Sequence, residues 1–158
     1  MNIKIDKLYA DAIIPVLNKN ICPIRAYSLL EMWSNSGSNG EIYFNKERID
    51  SSYPRDDGLV IPYLSRVVVG TGLKIQLPEG FGADIVTDWD IFNKTGFTVS
   101  TCSSSDSGES LVYVVNNSRK SQILRKNDII GKLFVRQNCI YTINEVENEV
   151  SGRKASSS

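Results

Sequence analysis

The reactive side chains of this chain form a restricted set, because its 158 residues include no histidine. Without imidazole, neither a Ser-His-Asp nor a Cys-His nucleophile can be assembled, and a histidine pH switch is also excluded. The three cysteines, Cys22, Cys102 and Cys139, stand far apart, with none of the close spacings of zinc ligands. An odd, sparse set of this kind is typical of reduced, buried thiols in an intracellular protein.

Two polar segments carry enough charged or hydroxyl side chains to hold a site. Asp88-Trp89-Asp90 places an indole between two carboxylates, and residues 103–107 form a run of serines around Asp106. Each segment also fits an ordinary surface, because two acids suit a solvated turn and a serine run suits a flexible loop. The flanking acids favour a surface or rim position for Trp89.

Charge and composition limit the partners. The 18 basic and 18 acidic side chains cancel, which argues against a nucleic-acid coat and against polybasic docking on a membrane. Cancelled charge also leaves little repulsion between copies, which suits self-association. No apolar run reaches the roughly 18 residues of a membrane span, and the first residues lack the apolar core of a signal peptide. We therefore expect an intracellular, cytoplasmic protein without nucleic acid or membrane as a partner.

The elements that must position these residues are predicted to be short strands. Residues 73–77 alternate strictly between apolar and polar side chains, as a half-buried strand does. Similar runs recur every 8–12 residues with turn residues between them, and no long helix is indicated, so we expect an all-β barrel or sandwich. Four less regular segments are assigned as follows: an edge strand or its end at Ala12–Leu17, a buried strand at Ala26–Trp33, a loop at Asn45–Gly58 and a strand at Cys139–Ile143.

Several of these segments, taken in order, resemble the trimeric deoxyuridine triphosphatases (dUTPases). Residues 3–15 resemble the first strand of that family, and residues 61–75 resemble its next landmark, which ends in Thr-Gly-Leu. Residues 77–81 fit its Leu-Pro-x-Gly turn, and residues 126–133 match its Gly-Asp-Arg-Ile-Ala-Gln-Leu element. The resemblance implies a distorted, jelly-roll-like β-barrel that assembles as a homotrimer.

This resemblance also sets the expected domain organisation. We expect one barrel domain over residues 1–145, with an insertion at about residues 22–58 that has no counterpart in the family pattern. Residues 146–158 are polar and end in three serines, so we expect a flexible tail.

The family's nucleotide site, as the resemblance implies it, needs four kinds of group around the triphosphate. A carboxylate holds Mg, an Arg-Ser-Gly element caps the phosphates, an aspartate orients the attacking water, and a tyrosine stacks on the deoxyribose. A glycine-rich arm bearing an arginine then closes over the site of a neighbouring subunit.

At these positions the chain departs from the family. The Arg-Ser-Gly position falls on Asp88-Trp89-Asp90, which reverses the charge of a phosphate clamp. The water-orienting aspartate falls on Ser103 and the tyrosine on Asp106, and serine is no base at neutral pH without an activator. The glutamine of the fourth element becomes Lys132. Asp50 is the nearest candidate for the metal-binding carboxylate, and Arg153 is the one arginine of the tail.

Three functional hypotheses follow. The first is a non-catalytic dUTPase-fold protein that needs no cofactor and binds itself and an unidentified protein partner, with Trp33 and Trp89 as interaction candidates. Because the resemblance places proteins of this kind chiefly in viruses, it implies a viral accessory or virion component. The second is an active or weak dUTP diphosphatase that uses Mg on Asp50 or Asp84 and phosphate binding by Arg153. The third is an unrelated β-sandwich, such as a capsid or decoration domain.

Overall fold

The computed structural model describes residues 2–17, 21–35, 44–52, 58–102 and 108–147, and side chains are described for these except residues 35 and 44–52. Twelve strands and one short helix follow one another along the chain: β1 (Lys4–Lys7), β2 (Pro23–Arg25), β3 (Ser28–Asn35), β4 (Phe44–Ser52), β5 (Leu59–Ile61), β6 (Arg66–Gly70), β7 (Leu73–Gln76), β8 (Phe81–Val86), α1 (Trp89–Thr95), β9 (Phe97–Thr101), β10 (Leu111–Asn116), β11 (Gln122–Leu124) and β12 (Ile129–Gln137). The predicted all-β class is confirmed. In the described part of the chain, no helix is long and apolar enough to cross a membrane.

The strands form antiparallel sheets that enclose one main core. A five-stranded sheet has the order β4-β3-β6-β10-β9, and a three-stranded sheet has the order β2-β12-β8. Two-stranded pairs, β1-β7 and β11-β5, complete the framework. The core draws its buried apolar side chains from both larger sheets and from β5 and β11.

Alternation along β6 and β10 explains how the five-stranded sheet covers this core. Val67 and Val69 are fully buried, and they lie opposite Val114 and Val112, which are also fully buried. Since successive side chains of a strand point to opposite faces, the residues between them face outward. Among these, Tyr113 on β10 is 38% exposed.

Two segments within the predicted insertion are strands of this sheet. Residues 28–35 form β3, which confirms the strand predicted at Ala26–Trp33. The loop predicted at Asn45–Gly58 is wrong over most of its length, because β4 pairs with β3 along Phe44–Ser52. A polar sequence can still be a strand at this position, since β4 is the edge of the sheet and needs only one hydrogen-bonded neighbour.

Two other strand predictions are also wrong. Residues 12–17 run without strand pairing, and Val16 and Leu17 are 73% and 67% exposed. Residues 139–143 likewise form no strand, and Ile140 is fully solvent-exposed. An apolar, β-branched run becomes a strand only when it finds a hydrogen-bonding neighbour, and the described part of this chain offers none to either segment.

The cysteines are free, as expected, but they are not deeply buried. Cys22 and Cys102 are half-buried, and Cys139 is exposed. Burial raises the pKa of the Cys22 thiol above its ordinary value of 9.0. This thiol is therefore protonated at neutral pH.

Candidate functional site

The segment that carries Asp88-Trp89-Asp90 is the start of helix α1 rather than a simple turn. Asp88 is the N-cap: its Oδ1 accepts hydrogen bonds from the backbone amides of Asp90, at 2.9 Å, and Ile91, at 3.3 Å. At the other end, Gly96 adopts a left-handed conformation with φ of 76° and donates its amide to the Phe92 carbonyl at 2.7 Å. An aspartate cap and a glycine stop eight positions apart are the local signal that could have predicted this helix.

The electrostatics at this end of α1 favour the acids that the sequence places there. A helix N-terminus carries a partial positive charge, which carboxylates stabilise. Asp88 already occupies two of the amides that an anion would use, and Asp90 adds a second negative charge in the first turn. The arrangement is complete as a helix cap and has no free amide pair for a phosphate.

Trp89 stands out from this cap into solvent. Its side chain is 63% exposed, as predicted from its acidic neighbours. The indole rests edge-on against the ring of Phe92, with the ring centroids 5.4 Å apart. This contact holds a large apolar surface at a defined place on the molecule.

Trp33, the second interaction candidate, lies on β3 and is half-buried. The guanidinium of Arg66 lies 5.9 Å from its ring centroid, within range of a cation–π contact. Trp33, Arg66, Tyr113 and Val115 line an open pocket of about 410 Å³ on the outer face of the five-stranded sheet. Hydrogen bonding to Cys102 raises the pKa of Tyr113 above its ordinary value of 10.0.

The remaining sequence-predicted positions are only partly described. Lys132 is half-buried on β12, between Val86 on β8 and Pro23 on β2. Asp50 lies on the edge strand β4, but its side chain is outside the description. Ser103, Asp106 and Arg153 lie outside the described residues.

No described residues form a cluster suited to Mg. Within residues 2–17, 21–35, 44–52, 58–102 and 108–147, no three Asp, Glu or Cys side chains come together to hold a metal ion. Asp84, an alternative metal ligand, instead forms an ion pair with Arg136 at 3.5 Å. The described side chains therefore do not fit Mg.

Glu109 is a buried carboxylate whose position the sequence did not reveal. It is 5% exposed, and its Oε2 accepts the amide of Gly72 at 2.7 Å. The next residue strengthens the same junction, because Ser110 donates its amide to the Leu73 carbonyl at 2.8 Å. Together these bonds anchor the C-terminal side of the 103–107 segment to the turn between β6 and β7.

A second cluster that sequence reasoning missed joins the N-terminal segment to β3 and to the turn before β12. The Tyr27 hydroxyl donates to Asp11 Oδ1 at 2.6 Å, and Lys126 donates to Asp11 Oδ2. The ammonium of Lys126 lies 4.5 Å from the Tyr27 ring centroid, and Tyr9 stacks on the same ring at 4.7 Å. Nothing local predicts this cluster, because its members are separated by up to 115 positions.

These hydrogen bonds shift the acidity of both partners. The bonds from Lys126 and Tyr27 lower the pKa of Asp11 from 3.8 to about 2. Burial, followed by the bond to Asp11, raises the pKa of Tyr27 from 10.0 to about 12. Both shifts favour the same state, a neutral phenol donating to an ionised carboxylate.

Comparison with known proteins identifies the fold and the family. No family model matches the chain. The chain is 31% identical to the deoxyuridine 5'-triphosphate nucleotidohydrolase of a Hydrogenobaculum species over 116 residues, which cover 71% of this chain and 74% of that protein. It is 32% identical to the enzyme of the same name from Fusobacterium nucleatum over 51% of this chain and 58% of that protein.

Solved structures give the same result at the level of the fold. The dUTPase from phage phi11 of S. aureus superposes with a TM-score of 0.61 at 11% identity, over 94% of this chain and 98% of that one. The dUTPase of Staphylococcus bacteriophage 80alpha gives 0.63 at 12% identity, over 93% and 97%. The dUTPase-like barrel expected from the sequence is thereby confirmed, and with the 31% identity to a relative matched over 74% of its length, the chain belongs to the dUTPase family.

Proposed function

We propose that this chain is a non-catalytic member of the dUTPase family that acts through protein–protein interaction. The observation that carries the proposal is the state of Asp88, which caps α1 at the position where the family resemblance expects the arginine of a phosphate clamp. A carboxylate has replaced a guanidinium, and its oxygen already accepts two backbone amides.

Electrostatics oppose triphosphate binding at this position. Loss of a charge-assisted clamp costs roughly 2–5 kcal/mol. A carboxylate about 4 Å from a phosphate adds repulsion on the order of 4 kcal/mol at an effective dielectric constant of about 20. Asp88 and Asp90 therefore work in the same unfavourable direction.

The positions assigned to catalysis point the same way. Ser103 stands where the resemblance expects the water-orienting aspartate, and the chain has no histidine that could activate a serine. Asp106 replaces the tyrosine that would stack on the deoxyribose, so a further negative charge stands beside the expected position of the nucleotide.

Exposed aromatic surface supports the interaction role. Trp89 presents 63% of its side chain to solvent, and tryptophan is among the residues that most often anchor interfaces. The 80alpha relative is described as controlling transfer of virulence genes by a proto-oncogenic G protein-like mechanism, so a regulatory role is described for a protein of this fold. By this analogy we propose a viral accessory or virion protein.

The test is a dUTP assay combined with direct binding. We expect no Mg-dependent release of pyrophosphate from dUTP, with the Hydrogenobaculum relative as the positive control. We also expect no heat of binding when a non-hydrolysable dUTP analogue and Mg are titrated into the protein. Turnover, or micromolar affinity for the analogue, would overturn the proposal.

Activity as a dUTP diphosphatase is the second candidate, and the names of the two curated relatives favour it. In that case the metal-binding carboxylates and the phosphate-binding arginine must come from positions such as Asp50 and Arg153. The matched variants Asp50→Asn and Asp84→Asn then distinguish the two proposed metal ligands. Loss of pyrophosphate release in one variant alone identifies the ligand.

A further inference from the structure

A second open pocket lies on the other side of α1, away from Trp89. It has a volume of about 330 Å³ and lies between α1, β11 and the turn that precedes β12. Its apolar wall includes Ile91, Phe97 and Ile123. This volume is at the lower end of the roughly 300–1,000 Å³ range of small-molecule pockets.

Two opposite charges face this pocket without pairing. Arg25 and Asp128 both line it, and neither takes part in an ion pair with any residue that the structure describes. Arg25 uses one N–H to donate to the Asn127 carbonyl at 2.8 Å, and a guanidinium has five donors. Asp128 accepts the Arg125 amide at 2.8 Å through Oδ2 only. Both groups keep hydrogen-bonding capacity for a ligand.

The backbone around these charges is held in place. The Asn127 amide donates to the Ala26 carbonyl at 2.8 Å, and the Ala26 amide donates to the Asp128 carbonyl at 2.9 Å. Asn127 itself adopts a left-handed conformation with φ of 71°. The Arg25 side chain and the Asp128 turn are thus tied to each other through two adjacent main-chain segments, as a preorganised polar site requires.

We propose that this pocket binds a small apolar amino acid as its zwitterion. Arg25 takes the carboxylate, Asp128 takes the ammonium, and the side chain lies against Ile91, Phe97 and Ile123. A simple anion fits less well, because Asp128 repels it, and a simple amine meets the same difficulty at Arg25. This site is separate from the proposed loss of nucleotide chemistry at Asp88.

The test is titration of L-leucine into the full-length protein, followed by amide chemical shifts in NMR spectra. Three probes each remove one feature: free glycine lacks the apolar side chain, isocaproate lacks the ammonium, and isoamylamine lacks the carboxylate. We expect saturable leucine binding with shifts centred on residues 25 and 127–128. Each probe should bind roughly tenfold or more weakly, as the loss of a charged hydrogen bond or of buried apolar area predicts.

Matched variants place the binding in this pocket. Arg25→Gln removes the charge, and Ile123→Ser removes apolar wall from a side chain that is already 44% exposed. Both should weaken leucine binding roughly tenfold, whereas Arg119→Gln, at an exposed position outside the pocket, should not change it. If Arg25→Gln unfolds the protein, Ile123→Ser still decides the question. No saturation by about 10 mM leucine, or unchanged binding in the folded pocket variants, overturns the proposal.

Discussion

The Asp11 carboxylate shows how one residue links segments that are distant in sequence. It accepts hydrogen bonds from Tyr27 on the approach to β3 and from Lys126 in the turn before β12. Because the phenol must stay neutral and the carboxylate ionised, the cluster is intact only within a range of pH. Both limits can be measured.

At high pH, we expect Tyr27 to titrate last among the tyrosines that the structure describes. Its folded pKa is about 12 against an ordinary 10.0, so its contribution to stability is complete below pH 10.0 and is lost as the pH rises towards 12. Asp11→Asn should lower this pKa part of the way, because burial, the larger cause, remains. Tyrosinate absorbance, compared with that of Tyr27→Phe, measures the shift. An unchanged pKa in Asp11→Asn would show that burial alone causes it.

At low pH, the same carboxylate has the opposite dependence. The folded pKa of Asp11 is about 2 against an ordinary 3.8, so its contribution is complete above 3.8 and is lost as the pH falls towards 2. The wild type should therefore lose more stability across this range than Asp11→Asn does. Parallel acid-unfolding curves for the two proteins would contradict the assignment.

Trp89 is the residue whose replacement tests the interaction role most cleanly. Because its side chain is 63% exposed, Trp89→Ala should leave the melting temperature nearly unchanged while it abolishes cross-linking to a protein partner in lysate of the source cells. Trp33→Ala is the companion variant, and Tyr63→Ala, at 44% exposure, is the matched surface control. If both tryptophan variants unfold the protein, these residues are structural, and the proposed interaction surface is wrong.

At the scale of elements, turns decide how the strands meet. The turn between β6 and β7 contains Gly72 in a left-handed conformation with φ of 70°. A Cβ there would lie 3.0 Å from Ala12 and 3.0 Å from the Tyr27 ring. The turn before β8 contains Gly80 with φ of 85°, and nothing lies within 4 Å of its Cβ position. The two glycines share a backbone conformation and differ in their surroundings.

We therefore predict different costs for alanine at the two turns. Gly80→Ala should lower the free energy of unfolding by about 1–2 kcal/mol, the cost of the left-handed backbone. Gly72→Ala should cost about 1–3 kcal/mol more, because the added methyl group also crowds a packed site. Urea unfolding of both variants measures the difference. Equal costs would mean that Ala12 and Tyr27 move aside without penalty.

The whole molecule exposes apolar surface beyond the last strand. Residues 138–147 run without strand pairing, and Tyr141, Ile143 and Val146 are 76%, 85% and 76% exposed. Such a segment gains stability when it pairs with an open sheet edge. We propose that it does so on a neighbouring subunit of a homotrimer, which the family resemblance also implies.

The corresponding prediction concerns mass in solution. Light scattering should give three times 17.6 kDa at micromolar concentration. Ile140→Ser with Ile143→Ser should dissociate the trimer, because burial of each side chain contributes about 1.5–3 kcal/mol per subunit. The two substitutions cannot harm the isolated subunit, in which both side chains are exposed. A monomeric wild type, or a double variant that remains a trimer, contradicts this interface.

Alternation of apolar and polar residues was sufficient to predict most strands, because it records which face of each strand meets the core. Leu73–Gln76 is a strand for this reason, and the ordered landmarks around it led to the right family. The replacement of the expected phosphate clamp by Asp88-Trp89-Asp90 was also visible in the residues alone.

Contacts between distant segments could not be predicted in this way. The polar strand β4 exists because β3 offers it an edge, and the run at Cys139–Ile143 is no strand because no described neighbour pairs with it. The cap at Asp88, the buried Glu109 and the cluster around Asp11 likewise depend on which backbone groups the fold brings within about 3 Å. Local sequence encodes preference and exposure, whereas these interactions exist only once the sheets have assembled.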